Sequence, residues 1–319
     1  MQLENELKLW GPEALARQAE RPSLVGSLDY CRRLSRSHYE NFVVVGVFTP
    51  PHLRTAFEAV YGFCRWADDL GDETGSPEKS VELLAWWKQQ LEELYTPDAP
   101  EPRHPVYVAL KPVVKQFHLP IKPFSDLISA FEQDQWKTRF ANRLELADYC
   151  TRSANPVGEL VLRLFGEASE ENLAMSNGIC TGLQLANFWQ DVARDLVKGR
   201  VYLPRESMEK YGVSEGDLAR VPASDAFRRM LAEEVAVTRT LFDSGRALTE
   251  KLGGRVGLAL RLFHAGGVAT LDAIENCGFD VLTRRPRVGK MTQVGLMARI
   301  LAGSLLPRSK KPNPPMKTG

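Results

Sequence analysis

The chain has 319 residues, of which 44% are hydrophobic and 25% charged, enough to bury a large core in one domain or two. Its five cysteines are scattered and show no CxxC spacing, which argues against a zinc site or a disulfide framework. The acidic N-terminal segment lacks the features of a signal peptide, and no uncharged apolar run of about 18 residues occurs. We therefore predict a cytoplasmic protein without a membrane-spanning helix.

Charge is unevenly distributed along the chain, although its net value is only +1. Residues 281–319 contain nine Lys and Arg and no Asp or Glu, which leaves 32 basic and 40 acidic residues in 1–280. A basic end of this kind suits an anionic membrane or nucleic acid, although a solvated tail is the commoner explanation. We expect no nucleic-acid partner and take 288–319 as the candidate for peripheral contact with the inner face of the membrane.

Helical spacing of apolar residues runs through most of the chain, and strand-like alternation never extends beyond a few residues. The pattern predicts an all-α fold of about ten helices or more. We expect a single domain over 1–305, a disordered tail over 306–319, a short buried segment at 43–48 and a loop through RVYLP (200–204). The predicted helices cover 1–22, 27–41, 52–72, 105–117, 122–140, 144–165, 169–198, 222–252, 256–277 and 288–305, with one more starting at Ser76–Pro77.

One predicted helix carries a file of oxygen-bearing side chains within the stretch QLANFWQDVARDLVKGRVYLP (184–204). Four of them fall within roughly 80° on a helical wheel: Gln184, Asn187, Asp191 and Asp195. Apolar residues occupy the rest of the helix, so the carboxylates need a compensating charge if the helix is buried. Carboxylate and amide oxygens, with no thiol or imidazole, are the ligands that Mg²⁺ prefers.

A second acidic face lies on the helix predicted over 52–72, in the motif YGFCRWADDLGDE (61–73). Four side chains share this face within about 60°: Tyr61, Arg65, Asp68 and Asp72. Asp69 and Glu73 lie on its flank. A solvated helix end would explain the cluster if it stood alone. Two helices with aspartates at i and i+4, each beside basic residues, instead predict a two-sided site for Mg²⁺ and a diphosphate.

Such a site would stabilise a departing diphosphate and so ease ionisation of an allylic or cyclopropylcarbinyl C–O bond. The carbocation that forms needs a dry, apolar and partly aromatic pocket. A helical bundle can enclose a pocket of this kind between its helices.

Four motifs, in this order, resemble those of the squalene and phytoene synthase family, the head-to-head prenyl synthases. They are HYENF (38–42), YGFCRWADDLGDE (61–73), DYCTRSANPVGELVLRLFG (148–166) and QLANFWQDVARDLVKGRVYLP (184–204). The resemblance implies an all-α isoprenoid synthase fold, a single large bundle in which the two acidic motifs face each other across a central cavity. It also implies a prenyl diphosphate substrate and Mg²⁺ as cofactor.

The resemblance implies roles for individual residues that match the family's motifs. The implied metal ligands are Asp68, Asp72, Asn187, Asp191 and Asp195. The four aspartates and Tyr149 are implied in catalysis. The positions implied in binding the substrate or its diphosphate are His38, Asn41, Tyr61, Arg65, Gln184, Asn187, Arg194, Lys198, Arg200 and Tyr202.

Departures from the carotenoid-forming members point to one branch of the family. Asn41 stands where those members usually have serine, Gln190 where they have arginine, and Arg194 where they have an acid or a small residue. HYENF, SANPVG (153–158) and NFWQDVARD (187–195) instead resemble the hopanoid-pathway branch that makes hydroxysqualene from presqualene diphosphate without a nicotinamide cofactor. The stretch 270–290 also looks like that branch, and we expect it to close the cavity and to leave a basic face near its entrance.

Two alternatives remain open on the sequence. The chain could condense two farnesyl diphosphates head to head, giving presqualene diphosphate, squalene or the carotenoid precursor dehydrosqualene. It could also be a non-catalytic relative that serves as a binding or assembly factor. Erosion of the acidic motifs would be expected in that case, and both motifs are intact.

Overall fold

Helices form nearly all the regular structure of the computed structural model, which describes residues 3–37 and 49–305. Within those ranges, β-structure is limited to an isolated parallel bridge between Arg139 and Val201. Short 3₁₀ turns occur at Pro51–Leu53 and Glu215–Ala219. The α-helices are α1 (Leu3–Trp10), α2 (Pro12–Arg17), α3 (Leu24–Ser37), α4 (Arg54–Asp72), α5 (Pro77–Tyr95), α6 (Pro105–Phe117), α7 (Lys122–Gln133), α8 (Arg143–Ser153), α9 (Asn155–Leu164), α10 (Glu170–Val197), α11 (Arg205–Tyr211), α12 (Asp225–Lys251), α13 (Gly254–Asn276) and α14 (Lys290–Leu305). The predicted all-α architecture is confirmed, while the predicted segment 43–48 lies outside the described residues.

Serine side chains fix where several long helices begin. Ser76 accepts a hydrogen bond from the backbone N–H of Lys79 at the predicted start of α5. Ser169 caps α10 in the same way, and Ser224 caps α12. Each cap satisfies a backbone N–H that has no partner inside its helix.

Two predicted helices end or divide earlier than apolar spacing suggests. The helix predicted over 122–140 ends at Gln133, and the one predicted over 144–165 divides at Ala154 into α8 and α9. Pro156 explains the division, because proline fits the first turn of a helix but removes a hydrogen bond from a helix interior. The loop through RVYLP leads into α11, a short helix that the apolar pattern does not mark.

Two clusters of buried hydrophobic side chains form the core. The first includes α4 and contains the stacked rings of Trp66 and Trp87, whose centroids are 5.4 Å apart. The second includes α10, where Trp189 donates from Nε1 to Thr238 Oγ1 of α12 at 2.8 Å. Phe165 packs against both clusters. The two acidic helices are therefore held in different halves of the core, and the site depends on how these halves join.

Glycines allow α10 and α12 to pack closely. A Cβ atom on Gly245 would lie 2.7 Å from the backbone oxygen of Met175 and 2.4 Å from Ile179 Cγ1. A Cβ on Gly178 would lie 2.8 Å from the backbone oxygen of Leu241. Since a backbone oxygen cannot turn aside, a larger residue at either position must push the helices apart.

We expect Gly245→Ala to lower the free energy of unfolding by about 1–3 kcal/mol, the usual effect of overpacking. Gly266→Ala in α13 is the matched control, because nothing lies within 4 Å of its Cβ position. The control should be neutral or stabilising by up to about 1 kcal/mol, since alanine favours helix. Urea unfolding of both variants measures the difference, and equal effects would contradict the close packing of α10 and α12.

Candidate functional site

Arg65 is at the centre of the acidic face of α4. Its Nε donates to Asp69 Oδ2 at 3.0 Å, its Nη1 to Asp68 Oδ2 at 3.2 Å and its Nη2 to Glu73 Oε1 at 3.2 Å. The helical wheel places Asp69 on the flank, yet its side chain is only 1% exposed. The contact with Arg65 explains this difference, because a carboxylate can be buried when a cation neutralises it.

Asp72, at the end of α4, pairs with basic residues that follow the end of α10. Its Oδ1 accepts a hydrogen bond from Arg200 Nη2 at 3.0 Å, and its Oδ2 lies 3.8 Å from Lys198 Nζ. Arg200 belongs to the loop after α10, which is fixed by a hydrogen bond from Val201 N to Thr138 O at 2.9 Å. A polar cavity of about 280 Å³ opens here, with Asp72, Lys198 and Arg200 among its lining residues. Basic side chains from the end of the 184–204 motif thus contact Asp72 at the end of the 61–73 motif.

The two aspartates of α10, Asp191 and Asp195, lie in different charge environments. Asp191 accepts two hydrogen bonds from Arg285, at 2.6 Å from Nε and 2.7 Å from Nη2, and Arg194 Nε lies 3.6 Å from it. Burial and the negative charge of Asp191 raise the pKa of Asp195 to about 7, against the opposing effect of nearby basic residues. The stretch 270–290 is expected to supply a basic face, and its Arg285 does contact Asp191 in the acidic row of α10.

Asp134, just after the end of α7, is a further carboxylate near Asp72 and Arg200. It accepts a hydrogen bond from the hydroxyl of Tyr149 at 2.8 Å. Burial raises the pKa of Asp134 to about 6, while Tyr149 and Arg200 act in the opposite direction. Asp72 and Asp68 also raise it, so Asp134 lies within electrostatic range of the acidic face of α4.

Aromatic rings pack beside these groups. The rings of Phe188 and Tyr202 are stacked with centroids 3.7 Å apart, and Tyr149 lies 6.1 Å from Tyr202. Phe188 and Tyr202 line a narrow cleft together with Asp195 and Arg200. Aromatic side chains thus lie next to Asp195 and Arg200 in the bundle.

The residues described above lie within the part of the chain that matches a known protein family. A model of the squalene/phytoene synthase family matches residues 35–292. The chain belongs to the squalene/phytoene synthase family. The 15-cis-phytoene synthase of Synechocystis sp. is 29% identical over 282 residues, covering 83% of this chain and 82% of that protein. The phytoene synthase of Arthrospira platensis is 30% identical over 280 residues, covering 82% and 88% respectively.

Solved structures of the family share the architecture. The crystal structure of squalene synthase HpnC from Alicyclobacillus acidocaldarius superposes with a TM-score of 0.75 and 41% identity, covering 81% of this chain and 96% of that one. A dehydrosqualene synthase in complex with a ligand gives a TM-score of 0.77 at 22% identity, covering 88% and 97%. The protein therefore has the all-α isoprenoid synthase fold. Across 3–37 and 49–305, none of the helices has the length and apolar character needed to cross a membrane.

Family enzymes that act on prenyl diphosphates generally use a divalent metal. The donors on α4 and α10 fit such an ion in kind, because they are carboxylate and amide oxygens. Burial first, and then the negative charge of Asp191, raise the pKa of Asp195, and a cation bound beside both carboxylates would offset these effects. Among the described residues, however, no three acidic, His or Cys side chains are gathered into a metal-binding group. Asp68, Asp72 and Asp191 are each paired with an arginine instead, so a metal would bind in exchange for internal cations.

The structure places most of the predicted site residues around this junction of family motifs. Tyr61 and Tyr202 are buried, Gln184 is half-buried and Asn187 is exposed. His38 and Asn41 lie outside the described residues, so their implied binding of diphosphate stays a prediction.

Sequence reasoning missed two residues of the candidate site, Asp134 and Arg285. Asp134 follows Glu132 by only two residues in a stretch expected to be helical, so FEQDQW (131–136) does not repeat the i, i+4 spacing of the acidic motifs. Arg285 had a signal, since 281–319 is basic and contains no acid. That signal could not identify which carboxylate its guanidinium would contact.

In metal-free protein, Asp195→Asn should raise the melting temperature near pH 8 and flatten its pH dependence. Because the folded pKa is raised from 3.8 to about 7, the folded state binds this proton more tightly than the unfolded chain does. Ionisation of Asp195 therefore lowers stability as pH rises from about 4 towards 7, and the loss is complete above the folded pKa.

Thermal unfolding in EDTA, between about pH 5.5 and 8, tests this difference. Asp148→Asn is the control, because that carboxylate is 69% exposed and lies on the outer face of α8. The control should follow wild type at every pH. A steeper pH dependence in Asp195→Asn than in wild type would contradict the assignment.

Proposed function

We propose that this family member converts presqualene diphosphate into hydroxysqualene, with loss of diphosphate and capture of water. The observation that carries the proposal is the Asp72–Arg200 pair, at 3.0 Å, which joins the two acidic motifs. Lys198 and Arg200 then lie beside the carboxylate of Asp72 from α4, in a polar cavity. An arrangement of oxygen donors with adjacent cations suits a substrate whose reacting bond is to a diphosphate.

In the proposed reaction the C–O bond to diphosphate breaks, and its electron pair leaves with the diphosphate. Arg200 and Lys198 would neutralise the charge that develops on the leaving group. Mg²⁺, when bound by Asp68, Asp72, Asn187, Asp191 and Asp195, would supply further electrostatic stabilisation of that charge. The aromatic cluster that contains Phe188, Tyr202 and Tyr149 would border the remaining cation and help to stabilise it.

The cyclopropylcarbinyl cation rearranges as a bond of its three-membered ring breaks, and water capture then forms a new C–O bond and releases one proton. The Asp134–Tyr149 pair offers a place for that proton, because Asp134 Oδ2 already accepts the Tyr149 hydroxyl. With a pKa raised to about 6 by burial, Asp134 is ionised near neutral pH and remains a competent base.

Two observations support this branch of the family over carotenoid formation. Identity is 41% to a structure described as squalene synthase HpnC and 28–30% to the phytoene synthases named here and their relatives. Gln190, where carotenoid-type members usually have arginine, is buried and donates from Nε2 to the backbone oxygen of Pro286 at 2.7 Å. An arginine at this buried position would need a negative partner in place of that carbonyl.

The alternative is head-to-head condensation of two farnesyl diphosphates. It is favoured by the names of the curated relatives, which are phytoene synthases. Both reactions would need the same acidic faces, so the difference must lie in which diphosphate is bound and in whether water reaches the cation.

Product analysis with each diphosphate distinguishes the two reactions. Purified protein with Mg²⁺ and without NADPH should convert presqualene diphosphate to hydroxysqualene, and should turn over little farnesyl diphosphate. In water labelled with oxygen-18, mass spectrometry should find the label in the hydroxyl group. Untouched presqualene diphosphate, or efficient condensation of farnesyl diphosphate, would overturn the proposal.

A further inference from the structure

Arg285 binds a carboxylate that the proposed function needs for a metal. Its Nε and Nη2 each donate to a different oxygen of Asp191, at 2.6 and 2.7 Å. The side chains of Arg285 and Asp191 are 29% and 20% exposed, so water screens the pair only in part. A guanidinium that makes such a bidentate contact occupies both oxygens of the carboxylate in a fixed geometry.

A second contact holds the segment that carries Arg285. Gln190, the residue before Asp191, donates to the backbone oxygen of Pro286, the residue after Arg285. Two adjacent residues of α10 thus hold two adjacent residues of the segment between α13 and α14. The Gln190 contact is uncharged and does not depend on the charge of Asp191, but without the Arg285 pair the segment loses one of these two attachments to α10 and is held less firmly.

The other side of the segment is open. A cavity of about 540 Å³ lies between α13 and the start of α14, and Arg284, Arg285 and Arg287 are among its lining residues. The Arg285 side chain therefore has space to leave Asp191 without displacing core residues. Arg284 and Arg287 are exposed and, in the described part of the chain, make no ion pair.

We propose that Arg285 is the resident counter-ion of Asp191, which holds the carboxylate in place in the metal-free protein and is displaced when a divalent metal binds there. This inference rests on the proposed function, in that Asp191 is taken as a metal ligand. Arg285 is then a positioning residue. It limits the repulsion between Asp191 and Asp195 while the site is empty of metal, and it competes with the metal for the same oxygens.

Competition predicts that removing the cation tightens metal binding. With Mn²⁺ alone as the probe, measured by the loss of the free-ion electron paramagnetic resonance signal, Arg285→Gln should bind about threefold to tenfold more tightly than wild type. Arg285→Lys keeps the charge but loses the bidentate geometry, so its Mn²⁺ affinity should lie between those of wild type and Arg285→Gln. Arg287→Gln is the matched control on the same segment and should match wild type.

A merely structural role for Arg285 would leave Mn²⁺ affinity unchanged or weaken it, and either result would overturn the proposal. Absence of Mn²⁺ binding in both wild type and Arg285→Gln would do the same. Circular dichroism melting of each variant shows that the compared proteins are folded. These measurements involve no turnover, so the proposed reaction can fail in the product assay while the competition is still observed.

Trypsin digestion gives a second readout of the displacement. The segment can be cut after Arg284 and Arg287, whereas Pro286 protects the bond after Arg285. Mn²⁺ should accelerate cleavage of wild type at these two positions, and Asp191→Asn should be cut quickly with or without the metal. Cleavage of wild type that slows on adding Mn²⁺ would show that the metal binds with Arg285 still in place, contrary to the proposal.

Discussion

Asp68→Asn and Asp191→Asn should each lower kcat/KM for presqualene diphosphate by at least about a hundredfold. Each substitution keeps the size of the side chain and removes one negative oxygen donor, from α4 in one case and from α10 in the other. The loss should be similar on both helices, because the proposed site needs carboxylates from both. A site confined to one helix would be sensitive to only one of the substitutions.

The folds of these variants should remain intact. Burial and the charges of Asp72 and Glu73 raise the pKa of Asp68, so its removal relieves repulsion in the metal-free state. Asp148→Asn, on an exposed carboxylate of α8, is the control and should keep wild-type kinetics. Near-native turnover by either Asp68→Asn or Asp191→Asn, at saturating Mg²⁺, would show that the two-sided site is wrong.

Arg200→Gln should also lower turnover by about a hundredfold. Arg200 pairs with Asp72 at 3.0 Å and also lowers the pKa values of Asp134 and Asp195. Without its charge, Asp72 loses its arginine partner, Asp134 and Asp195 lose a cation that favours their ionised forms, and the leaving diphosphate loses a neutralising group. Arg200→Lys should recover part of the activity, since the charge returns without the planar fork.

Steady-state kinetics and a pH profile together test the role of Arg200. The pKa values of Asp134 and Asp195 should rise in Arg200→Gln, so the acidic limb of the profile should move to higher pH. Arg220→Gln removes an arginine that is 76% exposed and paired with Asp217, and it should leave both activity and pH profile unchanged. An unshifted acidic limb in Arg200→Gln would contradict the electrostatic link between the two motifs.

The sequence was most informative where periodicity and chemistry coincide. Apolar spacing predicted α5, α6 and α10 closely, and Ser76–Pro77 marked the start of α5, because these signals act within one helix. The same spacing placed Asp68 with Asp72, and Asp191 with Asp195, on shared faces. Each of these inferences needs only the geometry of one helix and no knowledge of its neighbours.

What could not be predicted depends on contacts between distant segments. Asp69 is buried because Arg65 reaches it, although the helical wheel places it on the flank. Asp134 enters the site because α7 ends at Gln133, and that ending has no strong breaker in the sequence. Arg285 meets Asp191 across 94 positions of the chain. Pairings of this kind depend on how the two halves of the core join, which apolar periodicity does not encode.

The position of a metal bound with diphosphate tests the two-sided site most directly. Crystals soaked with Mn²⁺ and inorganic diphosphate would locate the metal by its anomalous scattering. We expect Mn²⁺ between α4 and α10, bonded to at least one of Asp68 and Asp72 and to at least one of Asp191 and Asp195, with diphosphate oxygens completing its coordination. Mn²⁺ bonded to carboxylates of one helix only, or bound away from both, would contradict this site.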